Sequence, residues 1–215
     1  GEVFRVVGHQ GTQIILQKAP DYLRSEARLQ TTIGKCQATR GFRYLSAIGG
    51  FYGSVDVEER FAGYKCVDQR DGEIVSSDDS AATFRRTVRA FWVTLETADE
   101  FLMDPGQALR VVEQFTRIGL TLLVPCDRHD VATLTLMSRV PTMYLYETVP
   151  GGIGIAEKML DGWATVVGCG RDLARRCECH AGCARCIHPP RYRASATGPL
   201  RKTVGYLLAD LVSTM

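Results

Sequence analysis

The 215-residue sequence lacks the features that would assign it to a membrane or secreted class. No apolar run approaches the roughly 18 residues that a membrane-spanning helix needs. The first ten residues, GEVFRVVGHQ, do not have the basic-then-apolar layout of a signal peptide. They begin within an apparent strand, which suggests a fragment of a longer protein. Eight Cys in 215 residues are too sparse for a disulfide scaffold, so we expect a reducing compartment, either the cytoplasm or another intracellular location.

Motifs for common catalytic chemistry are also missing. The chain contains neither the phosphate-binding pattern GxxxxGK[ST] nor a DExH-like stretch. No Ser-His-Asp layout or activated Cys-His pair stands out either. The chain by itself is therefore not expected to be an ATP-hydrolysing enzyme.

Lysine is scarce, with 5 Lys against 21 Arg, and the net charge is only +2. A net charge this close to zero does not favour any class of binding partner by itself. Arginine forms bidentate contacts with carboxylates and phosphates, so the excess is suggestive. A coding bias toward arginine explains it equally well.

The apolar content of 45% is enough for a real core, and its pattern changes along the chain. Residues 1–96 have the patterns of strands. The short runs VFRVV and QIILQ suggest a hairpin, and polar and apolar residues alternate with a period near two over residues 51–67. The run TFRRTVRAFWVTL is rich in β-branched and aromatic residues. We predict an α+β fold with an antiparallel β-rich lobe over 1–96 and a helical lobe over 97–215, integrated into one domain.

Three helices and one strand are predicted in the second half. The first helix begins at Pro105 after an Asp104 cap, a strand covers TMYLYET, a second helix follows the VPGG turn, and a third begins at Pro199. The apolar stripes expected to be buried are Leu109, Val112, Phe115, Ile118 and Leu122 in the first helix, Ile155, Met159, Trp163 and Val166 in the second, and Leu200, Val204, Leu207, Leu208 and Leu211 in the third.

Five of the eight cysteines lie close together, and four of them form the motif CECHAGCARC: Cys177, Cys179, Cys183 and Cys186. Zn²⁺ prefers four soft ligands in a tetrahedron, and a closed thiolate shell folds a loop rather than catalysing a reaction. We therefore predict one structural zinc. An iron–sulfur centre, two disulfides and clustered free thiols are the alternatives, and Cys169, His180 and His188 are possible substitutes for one ligand.

The cysteine motif lies in a basic segment. Residues 170–202 contain seven Arg and one Lys against one Asp and one Glu, a local charge of +6. Arginines can neutralise the negative charge of a zinc–thiolate centre, or they can face a nucleic-acid backbone. The candidate nucleic-acid contacts are Arg171, Arg175, Arg185, Arg191, Tyr192 and Arg193.

Two further polar features admit alternatives. The turn after Glu147 can present free N–H groups to an anion, although plain turn chemistry is more common, and Glu147 itself could cap the helix. The stretch CDRHD places Asp127 and Asp130 together, and with Glu147 these residues could form a hydrolytic metal site. A polar turn with a helix cap is the simpler interpretation of CDRHD.

The second half of the chain resembles a known module. The segments that carry the resemblance are, in order, YET, VPGGIGIAEKM, CECHAGCARC, a basic stretch and a final amphipathic helix. The sequence is similar to the C-terminal zinc-binding domain of MrfA-type and Hrq-type superfamily two DNA helicases. Upstream, GEVFRV, FAGYK, FRRTVRAFWV and CDRHD also have counterparts there.

The resemblance implies an accessory domain of an ATP-dependent 3′-to-5′ DNA helicase involved in DNA repair. Such a domain would stabilise the motor and guide single-stranded DNA, and in a bacterium it would be associated with the nucleoid. Its partners would be DNA and the motor domains of the same or another chain, and its zinc ligands would be the four cysteines of the motif. The alternatives are a metal-dependent nucleic-acid-processing enzyme and a purely structural protein-docking module.

Overall fold

The computed structural model describes residues 3–44, 48–95, 105–127 and 129–179, together with Cys183, Cys186, Tyr206, Ala209 and Asp210. The elements in chain order are β1 (Val3–Gln10), β2 (Gln13–Ala19), β3 (Leu23–Tyr44), β4 (Ile48–Asp68), β5 (Ile74–Leu95), α1 (Pro105–Leu123), β6 (Val131–Leu136), β7 (Thr142–Glu147) and α2 (Ile155–Arg176). Tyr206, Ala209 and Asp210 are helical as well.

The strands form two sheets. β1 and β2 make a two-stranded antiparallel hairpin, and the other strands form a five-stranded sheet in the order β3-β4-β5-β7-β6. β7 is antiparallel to both of its neighbours, β5 and β6. The β-rich N-terminal half, the later helices and the cysteine cluster confirm the predicted α+β class. Among the described residues, no helix has the length and apolar character needed to cross a membrane.

The chain divides into two compact units. The first unit comprises Gly1–Gly34 and Asp56–Arg86, and the second comprises Lys35–Val55 and Thr87–Met215. The long strands β3, β4 and β5 contribute residues to both units, and the two helices lie in the second. The boundary predicted near residue 97 lies outside the described residues.

The sequence patterns located most elements, with three errors. β3 had no predicted segment of its own, although it lies within the half of the chain that was expected to be strands. β6 was not predicted, and it follows the CDRHD turn where a helix cap had been the simpler interpretation. Its sequence, VATLTL, consists of β-branched and apolar residues, a composition that could have indicated a strand. In α1, Leu122 was expected to be buried but is 60% exposed, whereas Leu120 is buried. Most of the third predicted helix lies outside the described residues.

The core of the second unit lies between the helices and one face of the sheet. Phe91 and Val93 of β5 and Met143 and Leu145 of β7 are fully buried there. Trp163 of α2 contacts Phe91 with ring centroids 5.7 Å apart. The remaining members of this core include Leu109, Val112 and Phe115 of α1 and Ile155, Met159 and Val166 of α2. These residues confirm the main part of both predicted apolar stripes.

Aromatic residues also line the opposite face of the sheet. Trp92 stacks between Phe51 and Tyr144, with centroid distances of 5.8 and 6.4 Å. Burial, assisted by the neighbouring Cys36, raises the pKa of Tyr144 to about 12. The phenol of this half-buried residue remains neutral throughout the physiological pH range.

Glu147 joins the end of β7 to the start of α2. Its carboxylate accepts hydrogen bonds from the backbone N–H groups of Ile153, Gly154 (3.2 Å) and Ala156 (2.7 Å). The first N–H groups of a helix have no partner within the helix, and Gly154 at the N-cap supplies no side chain for them. Glu147, which is only 1% exposed, therefore acts as a remote cap.

Two glycines allow α1 and α2 to cross closely. A Cβ atom added at Gly119 would lie 1.9 Å from the carbonyl oxygen of Val166, and one added at Gly170 would lie 2.0 Å from that of Phe115. Both obstacles are helix backbone and cannot rotate away. The crossing therefore requires the absence of a side chain at each position.

Replacing Gly170 with Ala should lower the free energy of unfolding by roughly 1–3 kcal/mol or more, because the helices must separate to admit a methyl group. The matched control is Gly162→Ala in the same helix, where an added Cβ meets nothing within 4 Å. That variant should gain about 0.5–1 kcal/mol from helix propensity. Urea unfolding of both variants measures the difference, and equal effects would contradict the close crossing.

Replacing Glu147 with Ala should cost roughly 1–3 kcal/mol, because buried N–H donors would have no acceptor. Glu157→Ala is the control, since Glu157 occupies the first turn of α2 but is half-exposed and pairs with Arg40 at 3.6 Å. An exposed pair contributes less than about 1 kcal/mol. Thermal unfolding should rank the Glu147 variant well below the Glu157 variant, and the reverse order would argue against the cap.

Candidate metal centre

The cysteine cluster begins where α2 ends. Arg175 and Arg176 form the last turn of the helix, and Cys177 follows as the C-cap residue in an extended conformation. The backbone N–H of Cys177 donates to the carbonyl oxygen of Ala174 at 3.2 Å. The long, regular helix therefore delivers the first cysteine of the motif to a defined position.

The four cysteines of the motif come together in space. The Sγ atom of Cys177 lies 3.6 Å from that of Cys179 and 3.7 Å from that of Cys183. The Sγ atom of Cys186 lies 3.4 Å from that of Cys179 and 3.8 Å from that of Cys183. All four thiols are free of disulfides. This is the single group of three or more metal-binding side chains found in the described part of the chain.

These distances fit a tetrahedral thiolate site. Four sulfur atoms at about 2.3 Å from one zinc ion are separated by about 3.8 Å, close to the observed spacings. Burial is the main cause that raises the pKa of the Cys186 thiol to about 12. A bound Zn²⁺ would favour the thiolate form and remove this cost.

The cluster is packed onto the core of the second unit. Cys186 is 1% exposed and belongs to the core, and Cys177, Cys179 and Cys183 pack against it with partial exposure. The backbone N–H of Cys183 donates to the Sγ atom of Cys186 at 3.3 Å, an interaction that stabilises a thiolate. Cys169, an alternative ligand in the sequence analysis, lies on α2 outside the cluster.

The carboxylates considered for a hydrolytic site serve other purposes. Asp127 accepts a hydrogen bond from the backbone N–H of His129 at 2.8 Å, and Asp130 accepts one from the N–H of Asp127 at 2.7 Å. These hydrogen bonds form a local turn before β6. Glu147 caps α2, so the anion expected at this helix N-terminus is the protein's own carboxylate. Within the described residues, these three carboxylates do not form a metal-binding group.

Two of the candidate nucleic-acid contacts are described, and both form ion pairs. Arg171 and Arg175 bind Asp210 at 2.9 and 2.7 Å, and Arg175 also lies over the ring of Tyr206 at 5.2 Å. Tyr206 in turn stacks on Phe115 of α1, with centroids 5.9 Å apart. These interactions fasten Tyr206 and Asp210 to α1 and α2.

The other candidate nucleic-acid contacts, Arg185, Arg191, Tyr192 and Arg193, lie outside the described residues, as do His180 and His188. The described residues that sequence reasoning missed are Asp210 and Tyr206. No local pattern could have identified the partners of Asp210, because Asp210 and Arg171 are 39 positions apart.

Part of the chain that includes the cysteine cluster matches a known protein family. Residues 112–187 match the family model of the MrfA Zn-binding domain. Over 104 residues, the chain is 31% identical to an uncharacterized ATP-dependent helicase, YprA, of Bacillus subtilis (strain 168). That alignment covers 46% of this chain and 14% of the relative.

The whole fold resembles parts of longer solved structures. The crystal structure of the DUF1998 helicase MrfA bound to DNA matches with a TM-score of 0.70 and 22% identity, over 98% of this chain and 28% of that one. A second MrfA crystal structure matches with a TM-score of 0.55 and 21% identity, over 81% of this chain and 24% of that one.

The chain thus spans only about a seventh of the curated relative and about a quarter of the solved structures. The family match, which ends at Ile187, includes all four cysteines of the cluster. Residues 112–187 therefore resemble a helicase-associated zinc-binding domain of the MrfA type, and the four cysteines of the cluster have the chemistry and the spacing that fit one structural zinc.

Proposed function

We propose that this chain is a zinc-stabilised accessory module of an ATP-dependent DNA helicase. The observation that carries the proposal is the convergence of four thiols at the end of α2, inside the region that matches the MrfA Zn-binding domain. The resemblance extends the proposal to a 3′-to-5′ translocase that acts in DNA repair. ATP hydrolysis would belong to motor domains in the same or a partner chain.

The proposed zinc ligands are the four thiolates of the cluster. A zinc ion with four thiolates has no open coordination position, so its role is to hold the polypeptide together rather than to activate water. Zinc would connect the end of α2 to the segment that includes Cys183 and Cys186. Because Cys186 is part of the core, the metal would also fix this segment to the body of the second unit.

The proposed DNA contacts come from the basic segment that follows α2. Arg185, Arg191 and Arg193 would bind phosphates, and Tyr192 would stack on a base. Of Arg171 and Arg175, the half-exposed Arg175 is the better placed to contribute, because the side chain of Arg171 is only 15% exposed and also pairs with Asp172. This arrangement would guide a single strand past the zinc centre.

Replacing Cys183 with Ser should abolish stoichiometric zinc binding and unfold the region around the cluster, because tetrathiolate sites contribute on the order of 10 kcal/mol of folding free energy in small peptides. Cys169→Ser is the matched control in α2 and should retain both zinc and fold. Elemental analysis and thermal unfolding on the same samples provide the measurement. A Cys183 variant with full zinc content and an unchanged melting temperature would contradict the assignment of the ligands.

Binding of a single-stranded oligonucleotide should weaken steeply with salt, because phosphate binding releases counterions. Replacing both Arg191 and Arg193 with Gln should reduce the slope of log K against log salt by about 1.4, at about 0.7 for each phosphate that is no longer neutralised. The control is Arg139→Gln, which changes an exposed arginine before β7 and should leave the slope unchanged. Equal slopes for all three proteins would argue against phosphate binding by this segment.

A further inference from the structure

The four sulfur atoms of the cysteine cluster differ in their access to solvent. Cys186 is 1% exposed and belongs to the core of the second unit. Cys177, Cys179 and Cys183 are only partly buried. The cluster therefore has a protected side, formed by Cys186, and an accessible side, formed by the other three cysteines.

An open cavity adjoins the accessible side. It has a volume of about 460 Å³, and its described lining consists of Leu173, Arg176, Cys177, Glu178, Cys179 and Cys183. Among the described residues, Cys186 is the one cysteine of the cluster that does not line this cavity. Because a water molecule occupies about 30 Å³ in the liquid, the cavity admits small polar molecules to the three sulfur atoms.

Exposure decides which of the four sulfur atoms can react with such a molecule. The oxidation of a cysteine depends on its thiolate character and on its exposure, and bound zinc would hold all four cysteines as thiolates. The sulfur of Cys186 is buried, and it also accepts a hydrogen bond from the backbone N–H of Cys183 at 3.3 Å. A hydrogen bond of this kind draws electron density from a thiolate and makes it a weaker nucleophile. An oxidant should therefore react on the accessible side.

Cys177 lies beside both of the other accessible sulfur atoms. Its Sγ atom is 3.6 Å from that of Cys179 and 3.7 Å from that of Cys183. Both distances are close to van der Waals contact, so small side-chain rotations would bring either pair to bonding distance. Cys177 is therefore the cysteine best placed to form a disulfide within the accessible side.

We propose that the accessible side of the cluster is a modification site for hydrogen peroxide, with Cys177 as one partner of the disulfide that forms. One thiolate attacks an oxygen atom of the peroxide, the O–O bond breaks, and a sulfenic acid and a hydroxide ion form. The second thiolate attacks the sulfenic sulfur and expels another hydroxide ion. The two sulfur atoms lose two electrons, the peroxide gains them, and two protons from solvent convert the hydroxide ions to water.

The disulfide would release the metal. It would leave Cys186 and one other cysteine as ligands, whereas a structural zinc site takes four. Because Cys186 would stay reduced within the core, reduction of the disulfide would rebuild the site. Oxidants would thereby control the metal content of the second unit. This inference rests on the proposed zinc ligands.

Zinc release and disulfide mapping on the same sample test the modification site. The zinc-loaded chain would be treated with limited hydrogen peroxide, and a chromogenic chelator would measure the released metal. After denaturation, free thiols would be blocked with one alkylating reagent, the disulfides reduced, and the new thiols labelled with a heavier reagent for mass spectrometry. We expect zinc release to accompany a disulfide between Cys177 and either Cys179 or Cys183, with Cys186 blocked in the first step. A thiol reductant and added zinc should restore the metal content.

The matched control for the mapping is Cys36→Ser, which removes an exposed cysteine outside the cluster and should leave the rate of zinc release unchanged. Three results would overturn the proposal. These are a first disulfide that contains Cys186, a Cys177 thiol that is still reduced after zinc has left, and full retention of zinc at a peroxide concentration that oxidises Cys36.

A substitution in the wall of the cavity tests the route of the oxidant. Leu173 is 41% exposed and lines the cavity, so Leu173→Trp should obstruct it and slow zinc release by about 3-fold or more. Leu122→Trp is the control, because Leu122 is 60% exposed on α1 and is not part of the lining. Equal rates for both variants would contradict entry through the cavity. A purified chain without zinc would instead overturn the proposed metal centre, and this inference with it.

Discussion

The contact between Glu147 and the first turn of α2 is the interaction on which the arrangement of the second unit depends. Glu147 is the last residue of β7, and its buried carboxylate accepts three backbone hydrogen bonds from the turn and helix that follow. This carboxylate supplies the acceptor that Gly154 cannot, and its negative charge interacts favourably with the positive end of the helix dipole. It thereby fixes α2 to the sheet, and α2 carries Cys177 at its other end. One side chain thus relates the sheet to the metal centre.

The other supports of α2 act along its length. Gly119 and Gly170 let α1 approach α2 until backbone meets backbone, and Trp163 donates from its indole N–H to Thr116 at 3.1 Å within this interface. Near the C-terminal end, Arg171 and Arg175 hold Asp210. Zinc would add a strong constraint at the point where the helix stops and backbone hydrogen bonding no longer determines the path of the chain. The structural metal and the helix packing are therefore complementary.

The two units differ in how far they bury their apolar residues. The second unit buries its large apolar residues between helices and sheet, so it has the core expected of an independent folding unit. The first unit consists of strands, and many of its aliphatic and aromatic residues remain exposed. The cysteine cluster packs onto the core of the second unit, so the metal centre belongs to the unit that buries its apolar residues.

The sequence by itself determined the α+β class, both long helices, the β1–β2 hairpin and the cysteine cluster, because these depend on local periodicity and on ligands separated by only a few residues. Tertiary structure decided between the roles that the sequence allowed for Glu147, and it alone revealed the use of Gly119 and Gly170 and the pairing of Arg171 with Asp210. These features depend on interactions between residues that are distant in sequence, or on the approach of one backbone to another. β6 was missed although its sequence is compatible with a strand, and its pairing with β7 is visible only in the tertiary structure. Local patterns specify which groups are available, and packing specifies which of them meet.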